Sequence, residues 1–386
     1  MTGPDAATPA PLGRRDAQGA GAVPAPDGAV GPGTRMPEPG DPGDAASLCA
    51  RVVVRRRDFT VDIGLEAAPG ETVAVMGRSG AGKSTLLTAL AGLTALDEGE
   101  ITLDGRVLDR APRVRTAPMH RGIVLLGQDA RLFPHLTARE NVAFGPRAAG
   151  VAASVARSSA EEWLARVGLP GAGDRLPAQL SGGEQQRVAV ARALAAQPRV
   201  VLLDEPLVAL DAVTASEIRA MLRERLTGVT TIAVTHDAVD AAALADRLMI
   251  VERGTVTQIG PVREVLAAPA TEVAARIAGL ERLVGVAAGG AFVRDGRRLE
   301  TTDAASLALA ARDDVKLAAL YRASDARLGE GAPATVSHLE PTPVGVRVVT
   351  DSGVVEVPPA EAADLRPGDT VRWSVPPASV RFVPAS

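Results

Sequence analysis

The sequence predicts an α/β chain: a helix-flanked, mostly parallel sheet over its larger part, followed by a small all-β region. Three observations predict it. A glycine-rich loop, Gly77 to Thr85, joins an apolar run to a helical pattern; short β-branched runs then alternate with helical periodicity as far as Leu280; beyond Leu280 the helical pattern gives way to short runs punctuated by turn residues.

Taken in order, Met1 to Ser47 holds mainly Gly, Pro and Ala with scattered Asp and Arg, lacks a secretory pattern, and reads as a disordered extension in which Met36 is an alternative start. From Leu48 to Val61 the valines Val52, Val53 and Val54 favour an edge strand, and Arg51, Arg55, Arg56 and Arg57 read as a solvated face. Glu71 to Met76 reads as a buried strand. It runs into GRSGAGKST, which fits G-x-x-x-x-G-K-[ST], a loop that wraps the phosphates of a nucleoside triphosphate. Gly77, Gly80 and Gly82 allow the tight turns, and with Arg78, Ser79, Ala81 and Thr85 they point N–H groups inward toward the positive end of a helix over Ser84 to Leu93. In such a loop Lys83 reaches the β and γ phosphates and Ser84 gives its hydroxyl to Mg2+.

Gly99 to Val107 alternates around Asp104-Gly105, the signature of a hairpin turn. Ile123 to Leu126 reads as another buried strand and delivers Gln128 to its end, where a parallel sheet lines its ligand crevice. Glu161 to Val167 reads as an amphipathic helix with Trp163 and Leu164 in the core. Ser181 is the N-cap of a further helix, and Gly182 and Gly183 leave N–H groups at its start open to an anion. Val200 to Leu203 ends in the adjacent carboxylates Asp204 and Glu205, one suited to Mg2+ and the other to a water. Thr231 to Thr235 ends in His236, and Leu248 to Val251 is the next strand. Beyond Leu280 the runs Val315 to Leu320, Val344 to Val349, Val354 to Val357 and Val371 to Val375 read as a barrel-like β domain with Trp373 in its core.

Composition narrows the function. The chain has 386 residues, 46% of them hydrophobic, with room for two domains. A net charge of −4 and only 2% aromatic residues argue against nucleic acid as a partner. Cys49 is the single cysteine, so no internal disulfide forms. No run approaches the ~18 uninterrupted apolar residues of a membrane span; Val188 to Leu203 comes nearest and is broken by Arg192, Gln197 and Arg199.

Each motif alone is ambiguous, but their order, GRSGAGKST, Gln128, LSGGEQQR, VVLLDEP and VTHD, closely resembles the ATP-binding subunit of ABC transporters from Leu48 to Leu280. The resemblance implies a P-loop NTPase cassette with a mixed, mostly parallel sheet and a helical subdomain over residues 48–280, preceded by an extension over 1–47 and followed by a small all-β domain over 285–386. It further implies a homodimer closing on two ATP molecules, with Ser181, Gly182, Gly183 and Gln185 of one copy completing the other copy's phosphate loop. By the same resemblance Asp204, with Ser84 and Gln128, holds Mg2+, Glu205 is the general base, His236 contacts the γ phosphate, Lys83 binds phosphate, and Asp211 faces the partner's site. Expected partners are two copies of a separate membrane permease and, indirectly, a periplasmic or lipoprotein substrate-binding protein, with this chain on the cytoplasmic face of the membrane.

Two departures from the family pattern are Val208, where a serine is usual, and Gly127, where an aromatic is usual; a third is the lack of a clear aromatic to stack on adenine, Phe59 being the one upstream candidate. The stretch from Gln128 to His135, with GRSGAGKS and the GRVL of Gly105 to Leu108, is most similar to molybdate importer ATPases. Gly368 to Ala385 resembles the closing hairpin of their TOBE-class domain. Sulfate, iron, polyamine and sugar importers are the alternatives in the same class. An exporter subunit, a soluble ABC ATPase of repair or translation and a non-hydrolysing sensor are the alternatives outside it.

Overall fold

The computed structural model describes residues 46–56, 59–208 and 210–385. Eleven strands, β1 (Leu48–Arg55), β2 (Thr60–Ala67), β3 (Thr72–Met76), β4 (Glu98–Leu103), β5 (Arg106–Arg110), β6 (Val114–Arg115), β7 (Ile123–Leu126), β8 (Val200–Asp204), β9 (Thr230–Val234), β10 (Arg247–Glu252) and β11 (Thr255–Pro261), form one sheet in the order 6-5-4-1-2-11-10-3-9-8-7. Its helices are α1 (Lys83–Leu90), α2 (Ala138–Ala148), α3 (Ala153–Arg166), α4 (Gly182–Ala195), α5 (Ala212–Arg225), α6 (Ala238–Leu244), α7 (Val262–Ala267) and α8 (Glu272–Ile277).

The sheet has two characters. From β10 to β7 the neighbours β10, β3, β9, β8 and β7 are parallel, and β3 is buried at all five positions, as a strand covered on both faces must be. From β6 to β2 the pairing is antiparallel, and β2 alternates exposed and buried residues because only one face is covered. The sheet is therefore evenly mixed and not mostly parallel. The halves join where β2 meets β11, through the single parallel partner pair Thr255 and Asp62.

Leu86, Leu87 and Leu90 of α1 are wholly buried against this sheet, each contributing about 1.5–3 kcal/mol. Helices α2, α3 and α4 share a second core around Val142, Trp163, Leu164 and Leu194. They form the helical subdomain that the resemblance implies.

Several expectations shift. β1 is not an edge strand, since it pairs with β2 on one side and β4 on the other; alternation within one strand cannot reveal a partner some fifty residues away. Its arginines do lie on the solvated face, Arg51 against Asp62 and Arg55 against Glu98, while Arg57 is outside the described residues. α1 stops at Leu90 because the Arg121 guanidinium takes the carbonyls of Ala89 and Leu90, and α3 begins eight residues before the expected Glu161. The expected disorder of Met1 to Ser47 falls outside the described residues except at its end, where Ala46 O accepts from Thr230 Oγ1 at 2.7 Å and Ser47 N donates to Asp104 Oδ1 at 2.7 Å.

Beyond α8, strands β12 (Glu281–Ala288), β13 (Ala291–Arg294), β14 (Arg297–Leu299), β15 (Lys316–Tyr321), β16 (Arg327–Pro341), β17 (Val346–Thr350), β18 (Gly353–Val357), β19 (Thr370–Ser374) and β20 (Arg381–Pro384) form two antiparallel sheets, ordered 14-13-12-15-20 and 18-17-16-19. The expected barrel is thus two sheets facing one core, and two short helices, α9 (Ala304–Ala310) and α10 (Pro359–Ala362), interrupt the all-β pattern. Trp373 is wholly buried there, stacked on Tyr321 at 5.7 Å with the Arg297 guanidinium over its ring at 3.8 Å.

Candidate functional site

The loop Gly77–Thr85 connects β3 to α1. Glycine is required at Gly77, where a Cβ would lie 2.1 Å from Val251 O, and at Gly82, whose φ is 105° and whose Cβ would lie 2.9 Å from Val61 Cγ2. Within the loop Ala81 N donates to Arg78 O, and the first helical bond runs from Leu86 N to Gly82 O. The N–H groups of Gly80, Gly82, Lys83 and Ser84 find no acceptor among the described residues. Arg78, Ser79, Gly80 and Ser84 are exposed, Thr85 is partly covered, and Ala81, Gly82 and Lys83 are buried. Lys83 Nζ donates to Gly77 O at 2.8 Å and Arg78 O at 3.1 Å, so the ammonium lies within the turn. Burial pushes its pKa down, and the charges of Glu205 and Asp204 oppose that.

Three adjacent parallel strands bring the other polar groups to the same edge. Leu126 of β7 is in register with Leu203 of β8, and Asp204 with Val234 of β9, so the residues just past each strand converge. Gln128 Nε2 donates to Glu205 Oε2 at 3.1 Å, and His236 Nδ1 lies 3.6 Å from the same oxygen. Glu205 sits in the left-handed region, with φ at 49°. For a side chain of this kind that costs about 1–3 kcal/mol and is sustained by its surroundings, here the bond from its own N–H to Val234 O at 3.0 Å. Asp204 has its pKa raised by burial and by Glu205, while Lys83 lowers it. Two carboxylates beside one buried ammonium form a cluster that a further cation would stabilise.

Ser181 is the N-cap of α4 in a reciprocal capping box: its Oγ accepts from Glu184 N at 3.3 Å and its own N–H donates to Glu184 Oε2 at 2.8 Å. Ser181 and Gly182 are exposed, and Gly183 packs so closely on α5 that a Cβ would lie 2.8 Å from Thr214 Cγ2. Gln185 Nε2 is committed to the carbonyls of Pro177 and Leu180, both at 3.1 Å. No hydrogen bond or ion pair among the described residues joins Ser181, Gly182, Gly183 or Gln185 to the phosphate loop. Asp211 caps α5 through Val213 N and Thr214 N, and the bonds from Thr214 hold its carboxyl below the usual range.

Polar residues that carry no motif, one buried and one partly buried, support these groups and were not legible in advance. Asn141, wholly buried on α2, receives Phe133 N on Oδ1 and donates through Nδ2 to the carbonyls of Phe133, Leu136 and Thr137, which fixes the loop after Gln128. Arg192 of α4 binds Ala130 O and Arg131 O in the same loop and lies over the Phe133 ring. Phe59, the upstream aromatic, packs partly buried against the core of the large sheet. Among the described residues no helix is long and apolar enough to cross a membrane, and no cluster of three His, Cys, Asp or Glu could hold a metal by itself.

Comparison with known proteins agrees with this geometry. Residues 61–208 match the family model described as "ABC transporter". The chain is 46% identical over 247 residues to the molybdenum import ATP-binding protein ModC of Mycobacterium tuberculosis, covering 62% of this chain and 66% of that one. It is 48% identical over 230 residues to the Fe(3+) ions import ATP-binding protein FbpC of Streptomyces avermitilis, covering 59% and 65%. It is 44% identical over 220 residues to the spermidine/putrescine import ATP-binding protein PotA of Methylococcus capsulatus, covering 56% of each chain. The match thus spans just under two thirds of the first of these relatives and less of the others. Over residues 61–208 the chain carries an ABC transporter domain.

Proposed function

We propose that this chain is the ATP-hydrolysing subunit of an ABC importer, working as a homodimer on the cytoplasmic face of a membrane against two copies of a separate permease. The observation that carries the reading is the convergence of Gln128 and His236 on the Glu205 carboxylate, at the strand edge shared with a loop in which the N–H groups of Gly80, Gly82, Lys83 and Ser84 find no acceptor among the described residues. Residues 48–280 are its cassette.

The loop fits a triphosphate. Its unpaired N–H groups and the start of α1 attract phosphate oxygens, and Lys83 has only to leave two carbonyls of its own turn to reach them. The donor set also fits Mg2+: one carboxylate, Asp204, and the exposed Ser84 hydroxyl, with Gln128 nearby and the phosphates completing the shell. Bound there, Mg2+ would neutralise charge developing on the β and γ phosphate oxygens. Glu205 accepts the proton of the attacking water as general base. In the structure its Oε2 is occupied by the Gln128 amide, so the water gains access to the carboxylate as that bond opens. His236 donates to the γ phosphate, and Ser181 with the N–H groups of Gly182 and Gly183 closes the site from the second copy, since no hydrogen bond or ion pair among the described residues joins them to their own loop. Gln185, its amide held by Pro177 and Leu180, helps hold that helix start in shape.

For cargo we favour molybdate, on the resemblance from Gln128 to His135 and the relative named for molybdenum import, with residues 285–386 as a TOBE-class domain and a periplasmic or lipoprotein binding protein delivering the oxyanion. Iron is the second reading, because the relative named for Fe(3+) import is as similar. Two experiments separate these parts. Purified chain should hydrolyse Mg-ATP, and Glu205→Gln and Lys83→Ala should abolish turnover; normal turnover in Glu205→Gln would remove Glu205 as the base. Cells lacking the gene should lose uptake of labelled molybdate, with tungstate competing and iron unaffected; loss of iron uptake instead would select the second reading.

A further inference from the structure

The turn that carries His236 is held from behind by a buried network. Thr235, the residue before it, is 6% exposed; its Oγ1 donates to Asp240 Oδ2 at 3.2 Å and accepts from Asp237 N at 3.1 Å. Asp240, on the first turn of α6, is 8% exposed and receives both Nε and Nη2 of Arg219 on its other oxygen, at 2.7 Å and 2.6 Å. Arg219 lies on α5, two turns past the Asp211 cap. Thr235 is thereby bonded to a carboxylate whose orientation is fixed by a guanidinium, and Asp237, the other chain neighbour of His236, is tied to it through the Thr235 hydroxyl. The imidazole itself is 59% exposed and stands beyond hydrogen-bond distance from Glu205. A ring with so few contacts of its own takes its aim from its backbone.

We infer that Asp240, oriented by Arg219, is a positioning residue that fixes the Thr235–Asp237 turn and so sets where the His236 imidazole meets the terminal phosphate. This rests on the hydrolase reading above. The network acts through the Thr235 hydroxyl and not through substrate, so its loss lowers turnover without weakening nucleotide binding.

The test is steady-state hydrolysis of Mg-ATP by the full chain. Thr235→Val and Asp240→Asn should each lower kcat about tenfold while KM moves less than about twofold, and Thr235→Ser, which keeps the hydroxyl, should retain wild-type kcat. In a His236→Ala background neither change should lower turnover further, because the group they aim is gone. If Asp240→Asn fails to fold, Thr235→Val decides, since it leaves the Arg219 pair intact. Losses that add fully to His236→Ala, or a Thr235→Ser variant as slow as Thr235→Val, would overturn the inference while leaving the hydrolase reading in place. A wild-type chain that hydrolyses no ATP would overturn both.

Discussion

Gln186, 3% exposed on α4, donates its side-chain amide to the carbonyl of Pro206 at 3.1 Å, one residue beyond Glu205. The helix whose start carries Ser181 is thus bonded to the turn that carries Glu205 of the same chain. Gln186→Leu should leave that buried carbonyl unpaired and cost about 1–3 kcal/mol in urea unfolding. Its kcat should fall more than its KM rises, because the Glu205 turn loses a fixed neighbour.

Arg121 and Asp109 form an ion pair with side chains 0% and 3% exposed, and the same guanidinium caps the carbonyls at the end of α1. Arg121→Ala should destabilise the chain by about 3–5 kcal/mol, because Asp109 is left buried and unpaired. Pairing it with Asp109→Leu should recover part of the loss. Recovery should stay incomplete, since the cap of α1 is still missing. Chemical denaturation of the single and double variants measures this.

Gly77→Ala puts a Cβ 2.1 Å from Val251 O, a backbone atom that cannot swing away. The phosphate loop must shift, and nucleotide binding measured by calorimetry should be lost. Gly80→Ala is the control: its Cβ meets nothing within 4 Å, so the defect there is confined to the strain of φ +78° and binding should weaken less.

Lys83 has a pKa depressed in the fold by burial. For a lysine this sign means that the unfolded chain binds more protons between the folded pKa and the ordinary 10.5, so stability rises with pH across that window. The stability of Lys83→Met relative to wild type should therefore fall as pH is raised from about 7 to about 10. A difference that does not change with pH would mean that the ammonium is better solvated than its surroundings indicate.

What the sequence made legible follows from how local each signal is. Gly77 to Thr85, the Asp104-Gly105 hairpin and the Ser181 cap are written within a few consecutive residues, and the structure forms each as read. The meeting of Gln128 with Glu205 spans 77 positions and became readable through the order of motifs. Asn141, Arg121 and Asp240 were not readable, because a buried amide or charge is recognised by the partners around it and each occurs singly in an ordinary helix or turn; Gln186 lies within LSGGEQQR, but its bond to Pro206 was not readable there. The central place of β1 failed for the same reason: alternation states which face is covered and says nothing about how many neighbours a strand has.

The eleven-stranded sheet is continuous in outline, yet its antiparallel and parallel plates are pinned at one rung, Thr255 against Asp62. That pin stands beside the phosphate loop: Asp62 N bonds Gly254 O at 2.7 Å, Gly254 N bonds Ala81 O at 3.0 Å, and Val61 lies where a side chain at Gly82 would go. The strand pairs on either side of this seam, β1 with β2 and β10 with β11, carry ladders of eight and six partner pairs, whereas the seam itself carries one. The phosphate loop is therefore seated against the seam between the plates, so whatever fills the loop bears directly on the bonds that join them.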